Sequence, residues 1–160
     1  MVGNVQIKVE DALHLIGCLS LVAVVILIDA DILLRVFANR PVRIQFEMTQ
    51  LYLMPALATL SLARVFRDGG HLALDIVAED AIPDILRRLI LALSACFFVA
   101  VTWMSWRFAY RAFQRNAVDF GVMDWPLGWA YLVVPIGCGA LALRLIAETL
   151  KKSRQVPAPE

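Results

Sequence analysis

Four long apolar blocks fill most of the chain and leave no room for a separate soluble domain. They run from about Ala12 to Leu34, Met48 to Phe66, Leu89 to Phe108 and Leu127 to Ala147. Each approaches the roughly 20 residues a helix needs to cross a bilayer. Hydrophobic residues make up 61% of the 160 positions, more than a soluble domain of this size carries. The expected architecture is therefore an all-α membrane protein. A single domain of four transmembrane helices covers residues 1–150, and residues 151–160 form a polar, disordered tail.

The first block reads as a retained helix. The segment before it, MVGNVQIKVED, has one Lys against two acids, so it lacks the basic start of a signal peptide. The block then ends in DADILLR rather than in a small-residue cleavage site. Cys18, Cys96 and Cys138 all fall inside expected spans, without metal-ligand or CxxC spacing, and read as buried small hydrophobes. The net charge of +1 gives no reason to expect nucleic acid.

The middles of the blocks read LSLVAVV, PALATL, ACFFVAV and PIGCGAL, with no Asp, Glu, Lys, Arg or His. A protein that carries ions or charged solutes by itself usually places an ionisable group there, to replace the lost hydration. Haem in a helix bundle needs inward-facing ligands such as His. His14 and His71 lie at a span end and in a loop. No Ser-His-Asp elbow, HExxH or phosphate loop occurs either. We therefore expect no enzyme activity, no cofactor and no metal.

Charges gather at the span ends. Asp31 and Arg35 are four apart, in the order that favours a pair on one helix face. Arg107, Arg111 and Arg115 form a stripe beyond the third block. Asp29 lies about five residues, roughly 7 Å, inside the end of the first span. It either reaches the interface or meets a cation, and Arg107 shares its side of the membrane. Trp103, Trp106, Trp125 and Trp129, with Tyr52, Tyr110 and Tyr131, cluster on that side as an aromatic belt or as a platform for a partner.

The stretch RDGGHLALDIVAEDAIP interrupts this pattern. Gly69 and Gly70 suit a helix end. Leu74, Val77, Ala78, Ala81 and Ile82 then recur at helical spacing, and Pro83 closes the run. This predicts a short amphipathic helix on the membrane surface between helices two and three. His71 and Asp75 supply too few ligands for a metal, so they read as pins of the elbow. Within the spans, Ala92, Cys96 and Ala100 form one small-residue stripe. Gly137 and Gly139 thin the fourth span, as close helix contacts require. Pro55 and Pro135 each free a backbone carbonyl and are expected to interrupt spans two and four.

These pieces, in this order, resemble the small membrane subunit of tripartite ATP-independent periplasmic (TRAP) transporters. RVFANRP is similar to that family's exit from helix one, with Arg35, Asn39 and Pro41 in register and Phe37 shifted. Glu47 stands where the family has an acidic residue, although the usual Trp and second acid are missing from IQFEM. RDGGHLALD resembles the family's turn after helix two. WPLGWAYLVVPIG resembles its fourth helix start, at Pro126, Tyr131, Pro135 and Gly137. The likeness spans roughly residues 12–150.

The resemblance implies a chain of the bacterial inner membrane that neither binds nor moves substrate. It would brace a large multi-span subunit that carries substrate and sodium, while a periplasmic binding protein delivers an organic acid. Two alternatives remain at this point: a self-sufficient four-helix exporter acting as a homodimer, and the membrane anchor of a redox complex.

Lys and Arg set the orientation. With four spans, Lys8, Arg64, Arg67, Arg87, Arg88, Arg144, Lys151, Lys152 and Arg154 share one side, and Arg35, Arg40, Arg43, Arg107, Arg111 and Arg115 the other. The larger group places both termini in the cytoplasm. Cysteines placed at Asp75 and Glu79, in a background lacking the native three, should then react with an impermeant thiol reagent only from the inside. Labelling from outside intact cells would invert the topology.

Overall fold

The computed structural model describes residues 2–39, 42–68, 84–120 and 124–150. The elbow with His71 and Asp75, Pro41 and the 151–160 tail lie outside them. The chain begins with α1, Val2–Ala38. The second limb follows as α2, Arg43–Met48, a π-helical turn over Thr49–Leu53, α3, Met54–Leu60, and α4, Leu62–Arg67. Then come α5, Asp84–Gln114, two strands, β1 Val118–Phe120 and β2 Asp124–Pro126, and finally α6, Leu127–Leu150.

Among the described residues, three helices are long and apolar enough to cross a membrane, within α1, α5 and α6. The second apolar block is helical but broken into pieces. Pro55 explains the first break. It has no N–H to donate, and its ring would clash with the carbonyl four residues back. The preceding turn widens instead, and the Met54 N–H closes on the Thr49 carbonyl five residues back. Pro135 behaves differently from the sequence expectation. It is buried inside α6, which runs through it without a break, because packed neighbours tolerate a proline in such a helix.

The helix ends are set by local chemistry. Asn39 and Asn116 have positive φ, 53° and 44°, a conformation that Asn tolerates better than most residues. Around Asn116, the Ala117 N–H reaches the Ala112 carbonyl at 2.9 Å and the Asn116 N–H the Phe113 carbonyl at 3.2 Å. That pair of bonds ends α5 in a Schellman turn. The chain then makes a small antiparallel hairpin, with Asp119 opposite Trp125. It is the one β element among the described residues, an addition to the expected all-helical design.

The helices pack mainly as neighbours in a row. α1 leans on α3 and α4, these lean on α6, and α6 carries α5 along its length. The buried positions of α1 include Glu10, Gly17, Val24 and Asp31, seven residues apart, with Ser20 beside them. This face is small or polar, and the apolar faces point outward, as expected where lipid is the solvent. Cys138 is buried, but Cys18 and Cys96 are exposed on outward faces, which corrects the sequence expectation for those two.

Close approach is tightest at Gly137. A Cβ there would lie 2.5 Å from the backbone of Thr59, whereas one at Gly139 would meet only Thr102 Cγ2 at 3.5 Å. Gly137→Ala should therefore destabilise the protein by about 1–3 kcal/mol, the usual cost of overpacking. Gly139→Ala should be close to neutral. Thermal unfolding of both variants in detergent checks the difference.

Candidate functional site: a clasp at each end of the helix row

Charged side chains from α1, α4 and α6 meet at the end where α1 begins. Arg67 donates to Glu10 Oε2 at 3.2 Å and to Asp11 Oδ1 at 2.6 Å. Arg64 lies 3.4 Å from Asp11, and both arginines reach Asp68. Arg144 of α6 joins from the other side, 3.8 Å from Glu10 Oε1 and 3.1 Å from Glu148. Glu10 is 1% exposed. A carboxylate in that position is tolerable only beside cations. Two arginines from different helices supply them, so the three helix ends are held together by charge.

A second clasp forms at the opposite end. Asp31 is buried on α1 and accepts from Arg35 Nη2 at 2.7 Å and from the Val42 N–H at 2.7 Å. One carboxylate thus fixes both sides of the turn into the second limb, and Asn39 supplies the left-handed residue within it. Further on, Glu47 accepts from the Trp125 indole N–H at 3.0 Å. Tyr52 donates to the Pro126 carbonyl at 2.8 Å, and its ring meets that of Trp125 edge-on at 5.8 Å. Phe113 and Trp129 make a similar edge contact at 5.5 Å. The hairpin and the start of α6 are thereby tied to the second limb.

The structure treats the sequence candidates unequally. Asp31 and Arg35 pair with each other and Asn39 lies in the turn beyond them, while Glu47 and Pro126 accept from Trp125 and Tyr52. Tyr131 is exposed on α6, while Pro135 and Gly137 are buried in it. Asp29 is exposed and makes no ion pair with Arg107, itself exposed. The reason is the helix order: α5 packs along α6, and α1 packs against α3 and α4. Trp103, Trp106 and Trp129 are exposed as a belt would be, but Trp125 is a half-buried part of the clasp.

Glu10, Asp11, Arg67 and Arg144 escaped sequence reading. The acids served only to argue against a signal peptide, and the arginines only to set orientation. The available signal was the seven-residue spacing from Glu10 through Gly17 and Val24 to Asp31, which puts both buried acids on one helix face. Among the described residues, no group of three metal-type ligands comes together.

The family comparison matches residues 23–155 to the tripartite ATP-independent periplasmic transporters, DctQ component. The chain belongs to the DctQ family. This makes it the small component of a TRAP transporter and a protein of the bacterial inner membrane. The match reaches from the middle of α1 to the end of α6, so it includes the second clasp and the arginines of the first. Glu10 and Asp11 lie ahead of it. Neither the curated proteins nor the solved structures give a match. DctQ membership leaves the exporter and redox-anchor readings without support.

The first clasp can be tested by its energetics. Arg67→Ala strands Glu10, and loss of one partner from a buried pair costs about 3–5 kcal/mol. Glu10→Gln should also destabilise the protein, but the double change should cost clearly less than the sum. A double-mutant cycle of thermal stability in detergent measures this. Additive losses would mean that the two side chains are not coupled.

Proposed function

We propose that this chain is a non-catalytic brace that holds the large transport subunit in the membrane. The transporter would be a sodium-coupled, binding-protein-dependent importer of an organic acid. In this reading the second limb, despite its π-turn, crosses the bilayer as a fourth span. Both termini lie in the cytoplasm, and the elbow with His71 and Asp75 rests on that surface. The hairpin and aromatic belt lie on the periplasmic side, where the binding protein docks. Sodium coupling and the organic-acid class rest on the family resemblance.

The observation that carries the reading is the placement of charge. Among the described residues, every ion pair lies near one of the two ends of the helix row. The sections between them are apolar and offer no group that could replace a hydration shell. Long apolar faces remain open on both outer helices, including Leu19 and Ile26 on α1 and Leu93 and Phe97 on α5. Such faces suit lipid and a large membrane partner.

Reconstitution decides the matter. Proteoliposomes that contain this chain alone should show no sodium-dependent uptake of organic acids. Addition of the large subunit, with loaded binding protein outside, should restore uptake. Robust uptake by the chain alone would overturn the proposal.

A further inference from the structure

Asp29 is a carboxylate without a partner. It is exposed on α1 and makes no hydrogen bond or ion pair among the described residues. The acid two positions on, Asp31, is buried and held by Arg35 and the Val42 N–H. Side chains two residues apart on an α-helix point about 200° from each other. Asp31 therefore faces the helix row, and Asp29 faces away from it. Around Asp29 the outward face of α1 is apolar, and Val22, Val25, Ile26, Leu33 and Val36 are all exposed on it.

The apolar face continues past Asp29 towards the end of the helix. Leu33 and Val36 lie about 6 and 10 Å further along the axis, and Val36 is 71% exposed. A layer of lipid headgroups is only about 5–8 Å thick. With Asp29 among the headgroups, Val36 would stand in water. The carboxylate therefore belongs to the apolar layer, close under the interface. Its side chain is too short to reach out as Lys and Arg do, and an ionised group there is costly unless a cation meets it. Among the described residues no cation of this chain does so. Arg35 is engaged by Asp31, and Arg107 lies on α5, which packs along α6 rather than α1.

We propose that this face of α1 docks a transmembrane helix of the large subunit, and that an arginine or lysine of that helix pairs with Asp29. Lipid carries no cation below its headgroups. A basic side chain on a neighbouring helix does reach that depth, with its stem laid along apolar surface. Apolar contact alone gives a helix in lipid no reason to prefer protein as its neighbour, and a polar pair supplies that reason. The same argument selects α1 over α5. The outward face of α5 is also apolar, but the helix carries no charged residue from Leu89 to Trp106. The inference rests on the bracing role proposed above and names the surface that performs it.

The test is a titration of the fluorescently labelled full chain with the detergent-solubilised large subunit. Asp29→Asn should weaken association by about thirtyfold or more, as loss of one partner from a desolvated charge pair does. Asp29→Glu should retain most of it. Neither change should lower the thermal stability of the chain alone, where Asp29 has no partner among the described residues. A photoreactive residue in place of Ile26 should cross-link to the large subunit, and the same residue in place of Leu93 on α5 should not. A wild-type chain that fails to associate at all would overturn the bracing role and this inference with it. Wild-type association that Asp29→Asn leaves unchanged would overturn the docking face alone, and would mean that the carboxylate meets lipid headgroups. Cross-linking from Leu93 but not from Ile26 would overturn it as well.

Discussion

Everything at the end of the row where α1 begins turns on how the buried Glu10 carboxylate is partnered away from water. Arg67 holds one oxygen, and Arg144 approaches the other from a different helix. A buried pair of this kind adds little net stability over an apolar contact. Its value here is in specifying neighbours. Between spans, lipid provides no hydrophobic drive to choose one helix face over another. A carboxylate that must find two guanidinium groups does choose, and it fixes both the rotation of α1 and its height against α4 and α6.

Once the ends are fixed, the middle can rely on shape alone. Gly137 lets α6 approach the Thr59 backbone, and Thr59 satisfies its own hydroxyl by donating to the Pro55 carbonyl at 2.7 Å. Ala63, Ala95, Leu141 and Leu145 then form a compact core where α4, α5 and α6 meet. The π-turn ahead of Pro55 belongs to the same scheme. It absorbs the proline locally, so α3 can keep its contacts with both α1 and α6. α5 lies at the edge of the row and is scarcely buried over its apolar length.

Much of this was legible in the sequence, for reasons that differ by region. The apolar blocks had to be helices, because no other open structure satisfies its backbone in lipid. The Asp31–Arg35 pair was legible because both residues lie on one helix, four apart. The Glu10 cluster was not, because it joins residues more than fifty and a hundred positions apart, and hydropathy says nothing about which ends meet. Trp125 was misjudged for a related reason. Its composition class suggested an interfacial belt, and only the hairpin register reveals that its indole faces Glu47. Pro55 and Pro135 carry the same local signal, yet one opens a π-turn and the other does not. Pro135 is buried, whereas Pro55 is only half-buried.

In the bracing role proposed above, the two clasps let one chain support another without touching the cargo. Each clasp uses its charges internally, so little of that chemistry remains for a solute. What the chain offers outward is a set of long apolar helix faces whose spacing is fixed at both ends. A partner that must move during transport needs a neighbour that does not deform with it. Buried ion pairs at one end, with a carboxylate-locked turn and an aromatic contact at the other, resist the sliding of helices past one another, because any slip would strand a charge in an apolar setting. That resistance is what the proposed bracing role requires. It arises here from a few polar residues placed where the helices end, while the sections between them are left free of charge.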